Sequence, residues 1–101
     1  MGTERISRVR VRNPSERPQL VIFEPWADEY TLAPGAAFTF EASSPLEGWL
    51  TVEYGDQHVI VTAWDSCVGR VYDSDGRLID SIDIRVPDFT TPRANDPDAA
   101  V

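Results

Sequence analysis

Short segments of about four to ten residues, rich in Val, Ile, Thr, Phe, Tyr and Trp, recur along the chain between clusters of Pro, Gly, Asn, Asp and Ser. β-Branched and aromatic side chains suit a pleated, half-covered surface, and the separating residues supply the backbone angles of turns. No stretch long enough for a stable helix shows an apolar period near 3.6 residues with caps, and no internal repeat is visible. The pattern predicts an all-β domain of seven to eight strands with little or no helix. An antiparallel two-sheet sandwich or a flattened barrel would hide the strand edges that otherwise recruit other chains.

The phase of each segment assigns faces. From Arg5 to Asn13, Val9 and Val11 alternate with Arg8, Arg10 and Arg12, so the three Arg share a solvent-facing side. Gln19 to Glu24 is apolar on both faces, Leu20 and Ile22 on one and Val21 and Phe23 on the other. Tyr30 and Leu32 share a face before the Pro34-Gly35 turn, and Phe38, Phe40 and Ala42 alternate with Thr39 and Glu41. Trp49 to Tyr54 and Gln57 to Trp64, joined by Gly55-Asp56, read as a hairpin. Ser74-Asp75-Gly76 turns the chain into a last strand, Arg77 to Val86, with Leu78, Ile82, Ile84 and Val86 on one face. Asp80 interrupts that face, so either a bulge or a local polar partner is required there, because an unpaired buried carboxylate is costly.

The chain of 101 residues, 42% hydrophobic and 26% charged, is long enough for one core and too apolar to be disordered throughout. Residues 1–86 are expected to form a single β domain. Residues 87–101, with three Pro, several Asp and little apolar content beyond Phe89, are expected to form a flexible acidic tail. No apolar run approaches the roughly 20 residues of a membrane span, and the first residues lack the apolar core of a signal peptide. Gly2 invites the question of myristoylation, but Ser7 stands one residue beyond the position that motif requires. Cys67 is the single cysteine, so no internal disulfide forms, and a reducing, cytoplasmic setting is the expectation.

All nine basic residues are Arg, as GC-rich coding produces; selection against lysine modification is the alternative. The net charge of −8 opposes phosphate backbones and argues against nucleic acid as a partner. That charge is uneven: residues 1–20 carry five Arg against Glu4 and Glu16, net +3, and residues 21–101 carry four Arg against fifteen acids, net −11.

No catalytic residue stands out. His58 is the only histidine, on the face opposite Val59 and Val61, and neither it nor Cys67 sits in a nucleophile motif. One His excludes a blue-copper or zinc ligand set, and no cofactor is implied. Asp73-Ser74-Asp75-Gly76 followed by Asp80 starts like a calcium loop but lacks the third early ligand and the distal Glu, so a hairpin turn explains it.

The segment with most potential for binding is Glu24-Pro25-Trp26-Ala27-Asp28-Glu29-Tyr30, which sets two large aromatics and three carboxylates between strands. Aromatic anchors bury large area at low entropic cost, so Glu24, Trp26, Asp28, Glu29 and Tyr30 form the candidate site. The competing explanation is a corner in which Trp26 plugs the core and the acids stay wet. Trp49 and Trp64 fall out of phase with the apolar faces of their strands, which partial covering of both sheet faces explains; the alternative is a protein contact or, with Trp26, a stacking platform for sugars.

Asn13-Pro14-Ser15, Glu24-Pro25-Trp26, Tyr30 and Pro34-Gly35 form a pattern, over about residues 9–42, that resembles small uncharacterised bacterial β-sandwich proteins. The resemblance implies a compact sandwich and no assigned activity. The leading reading is a non-enzymatic binding or protein-interaction module, self-associating or using the Trp26 to Tyr30 segment against a polar or basic protein, without a membrane partner. A carbohydrate-binding module is the second reading, and a small hydrolase working through opposed Asp and Glu the third.

Overall fold

The computed structural model describes residues 3–86. Eight strands follow one another: β1 (Arg5–Arg12), β2 (Gln19–Glu24), β3 (Asp28–Leu32), β4 (Ala37–Ser44), β5 (Thr51–Tyr54), β6 (His58–Thr62), β7 (Val68–Tyr72) and β8 (Leu78–Ile82). They build two four-stranded sheets, in the order β1-β4-β7-β8 and β3-β2-β6-β5. The edge strands of one sheet do not pair with those of the other, so the architecture is a sandwich and not a barrel. The segment read as an acidic tail, residues 87–101, lies outside the described residues.

One pairing departs from the antiparallel expectation: β2 runs parallel to β6, with Leu20 opposite His58 and Glu24 opposite Thr62. After β3 the chain crosses to the other sheet for β4 and returns through β5, whose antiparallel pairing with β6 leaves β6 running the same way as β2. Residue alternation fixes which side faces the core but carries no information about the direction of a neighbour.

The core lies between the sheets. Val21, Phe23, Leu32, Val59 and Val61 enter from one side and Val11, Phe40, Ala42 and Val71 from the other, all buried. Phe23 meets Phe40 edge to face at 5.3 Å, and Tyr30 meets Phe40 in the same manner at 5.5 Å. Burying a side chain of this size contributes roughly 1.5–3 kcal/mol, so these residues supply most of the cohesion between sheets.

The crossovers are tied by polar side chains. Asn13, fully buried where the chain leaves β1, donates through Nδ2 to the carbonyls of Arg17 (2.6 Å) and Leu32 (3.0 Å). Its Oδ1 accepts from the backbone N–H (3.0 Å) and hydroxyl (2.7 Å) of Ser15. At the other end Ser44 Oγ donates to the Asp65 carbonyl and accepts from Leu46 N–H. Gly48 lies against the Trp64 ring, where an added Cβ would stand 2.1 Å from ring carbons.

The last strand differs from its reading. Tyr72 opposes Leu78 and Val71 opposes Asp80, so Ile79 is an extra residue in the ladder, a β-bulge. The strand ends at Ile82 and the expected apolar face is split: Ile82 and Val86 are buried, whereas Leu78 and Ile84 are exposed. The bulge leaves Leu78 on the outer face, while Asp80 faces inward with Ile82 and its carboxylate accepts the Tyr30 hydroxyl from the opposite sheet at 2.5 Å. The expected bulge is present, and the polar partner of Asp80 is not local but comes from the opposite sheet.

Candidate functional site

The residues singled out between Glu24 and Tyr30 divide between two sides of the sheet. The Glu24-Pro25 peptide is cis and Ala27 has φ 62°, which folds Pro25-Trp26-Ala27 into a tight turn joining β2 to β3. That turn throws Trp26 inward: its ring meets Phe23 edge to face at 4.8 Å, and its indole N–H donates to the Ile84 carbonyl at 2.7 Å. Tyr30 also points inward, against Phe38 and Phe40. Burial first, then the hydrogen bond to Asp80 and the charges of Asp80 and Asp28, hold its hydroxyl well above the usual tyrosine pKa. The register places Asp28 opposite Phe23, on that same side. Glu24 and Glu29 project from the outer face, Glu29 exposed and opposite Ile22, Glu24 opposite Thr62. Trp26 and Tyr30 are thus wedges of the core, and two carboxylates of the segment reach solvent beyond the sheet.

What those carboxylates frame is a face that the sequence marked only by the apolarity of both sides of 19–24. Across β3-β2-β6-β5 the register sets Glu29, Ile22, Ile60 and Glu53 in one row, with Thr31, Leu20 and His58 in the next. Leu20, Ile22 and Ile60, on the solvent side of the two central strands, are half-buried rather than enclosed. Glu29 and Glu53 stand on the edge strands, three strand spacings or roughly 14 Å apart. Among the described residues, Glu24, Glu29 and Glu53 have no cationic partner. The result is an apolar strip between carboxylates.

The outer face of the other sheet has the opposite character. Arg8, Arg10 and Arg12 line β1 on the solvent side, and Arg8 and Arg70 flank Glu41 across adjacent strands. Arg8 Nε lies 2.7 Å and an Arg70 guanidinium nitrogen 3.6 Å from the Glu41 carboxylate, which is buried beneath them. One acid is thereby spent on this face, and Arg10 and Arg12 stay exposed.

One hollow opens at an end of the acidic sheet, and another lies between the start of β1 and the connection from β4 to β5. The larger, about 720 Å³, is lined by the 15–20 connection, the Asp56-Gln57 hairpin tip, Thr31 and His58. The smaller, about 340 Å³, lies beside Trp49 with Arg5, Glu47 and Gly48. Each contains a single carboxylate, Asp56 in one and Glu47 in the other, so neither offers the opposed acid pair of a hydrolase. His58 is half-buried at the edge of the larger hollow, and Cys67 is fully buried elsewhere, its thiol pushed up by burial to about 11. Asp73 Oδ1 accepts from the N–H groups of Asp75 and Arg77, the bonds of a hairpin turn, and no metal-binding cluster occurs among the described residues.

The tryptophans do not share a platform. Trp64 donates its indole N–H to the Leu46 carbonyl at 2.9 Å and packs over Gly48, and Trp26 is bound to Ile84; Trp49 alone is open, 83% exposed. Comparison with family models, with curated proteins and with solved structures finds no match to the chain.

Proposed function

We propose that the protein is a non-catalytic protein-interaction module whose working surface is the outer face of β3-β2-β6-β5. The reading rests on one observation: Ile22 and Ile60 sit side by side on the solvent side of the sheet with Glu29 and Glu53 at either end of their row. An apolar centre inside a charged rim is the usual anatomy of a protein contact, and this rim favours a partner that brings basic groups around an apolar middle. Leu20 extends the strip towards the larger hollow, and Glu24 extends the rim.

A peptide with the sequence of β1, Arg-Ile-Ser-Arg-Val-Arg-Val-Arg, carries that chemistry and serves as the probe. Titrated into the protein and followed by calorimetry, it is expected to bind, and to lose at least about tenfold in affinity against Glu29→Lys, Glu53→Lys or against Ile60→Asp. Binding equal in wild type and variants, or no binding at all, would overturn the assignment of this face.

Trp49 favours a second reading. Its open ring beside Arg5 and Glu47 has the composition of a sugar-stacking site. Tryptophan fluorescence that responds to a glycan in wild type but not in Trp49→Ala supports that reading, and a flat response across a glycan panel removes it.

A further inference from the structure

The two outer faces of the sandwich carry opposite charge. On β1-β4-β7-β8, Arg8, Arg10, Arg12 and Arg70 against Glu41 give four minus one, a formal +3. On β3-β2-β6-β5, Glu24, Glu29 and Glu53 give −3, with His58 neutral. Leu78 and Ile79, displaced outwards by the bulge of β8, and Ile6 on β1 add exposed apolar groups to the basic sheet. Each face therefore has what the other lacks: apolar groups among arginines on one, an apolar strip between carboxylates on the other.

We infer that the acidic face docks the basic face of a second copy of this chain, so that copies stack in a repeating, head-to-tail manner. The inference rests on the reading of the acidic face given above and names its partner. Pairing of like faces would set arginines against arginines or glutamates against glutamates, so the contact is heterologous and open-ended rather than a closed two-fold dimer. Four strands about 4.8 Å apart offer only a few hundred Å² per partner, below the roughly 800 Å² of a standard interface, so the association is weak and reversible.

The net charge of −8 gives this assembly a distinctive response to salt. At about 0.01 M salt the screening length is about 30 Å, close to the 35 Å middle dimension of the molecule, and whole-molecule repulsion keeps copies apart. Near 0.15 M the screening length falls to about 8 Å: the long-range repulsion is suppressed while carboxylate and guanidinium groups in contact still attract. Near 1 M, at about 3 Å, the contact pairs weaken too. Self-association therefore peaks at intermediate ionic strength, whereas the acidic face binding a cationic peptide weakens throughout as salt rises.

Sedimentation velocity on the full chain, from micromolar to near-millimolar protein at these three salt levels, tests the inference. Wild type is expected to show concentration-dependent association that is greatest near 0.15 M. Glu29→Lys, Glu53→Lys and Arg10→Glu, Arg12→Glu each sediment as monomers alone, and an equimolar mixture of the two associates again, because it restores one unaltered contact between an acidic and a basic face. Arg8 is left in place because it pairs with Glu41, and circular dichroism of each variant checks its fold. Monomeric wild type under every condition, association that survives either double substitution, or a mixture that stays monomeric overturns the inference. Peptide binding that depends on Glu29 and Glu53, with wild type still monomeric, removes the second copy as partner and leaves the acidic face as a docking site; absence of both removes both.

Discussion

At the scale of the residue, much of the specificity of this fold rests on single polar or small side chains placed where the chain changes sheets. Asn13 satisfies two carbonyls and anchors Ser15 from a fully buried position, and only an amide both donates and accepts in that geometry. Asn13→Asp replaces donation by a carboxylate facing two carbonyl oxygens, and a loss of about 2–4 kcal/mol is expected from the unmade bonds, read from the urea midpoint. Asn13→Ala, which removes the charge problem, should cost less; the reverse order would show that the amide's donated bonds contribute little. Gly48 works by absence: its missing Cβ lets Trp64 lie on the backbone, so Gly48→Ala must displace the ring or the loop and should lower stability by roughly 1–3 kcal/mol. Intrinsic fluorescence checks whether Trp64 has moved.

At the scale of the element, alternation exposed most of the strands because side-chain phase is a property of a single segment. Val9 and Val11 against three Arg, and Phe38, Phe40 and Ala42 against Thr39 and Glu41, needed no partner to be read. The last strand departs from simple alternation because a bulge inserts one residue at Ile79, which puts Leu78 out of phase with Asp80 and Ile82, and because the strand ends at Ile82, before Ile84. Asp80 was the visible trace of that event, a carboxylate in an apolar phase, but the Tyr30 hydroxyl that receives it comes from the opposite sheet, fifty positions earlier. The acid-framed strip was equally hidden: Glu29, Ile22, Ile60 and Glu53 become one row only through the parallel register of β2 and β6. The Tyr30–Asp80 bond ties the sheets together, and a double-mutant cycle of Tyr30→Phe and Asp80→Ala is expected to give a coupling of about 1–2 kcal/mol. It also sets a pH limit. Because Tyr30 in the folded chain holds its proton above the usual value near 10, only the unfolded chain ionises there as pH rises past that value. The unfolded state then binds fewer protons than the native state, and stability falls with pH above about 10. Urea midpoints between about pH 8 and pH 11 should decline in wild type and decline less in Tyr30→Phe; equal slopes would show that Tyr30 does not set the limit.

At the scale of the whole molecule, the uneven charge of the sequence becomes an arrangement in space. Five of the nine Arg lie in residues 1–20, and three of those line the outer side of β1, so a bias along the chain becomes a bias between sheets. The basic face is partly structural, since Arg8 and Arg70 cover the buried Glu41. Glu29 and Glu53 have no such duty: they stand on edge strands, exposed and without a cation within reach among the described residues, in a molecule already at −8. Their charges add self-repulsion to the compact state and return nothing to it. Neutralising both as Glu29→Gln, Glu53→Gln is therefore expected to raise stability slightly, by a few tenths of a kcal/mol and a degree or two in Tm, with the gain shrinking as salt screens the repulsion. The same pair of substitutions should abolish binding of the β1 peptide. A variant that is more stable yet no longer docks separates the two roles, because side chains retained for folding cost stability when removed, whereas side chains retained for a partner do not. A fall in Tm on neutralisation would instead make the two glutamates part of the scaffold and take away the reason to assign them to a surface that binds.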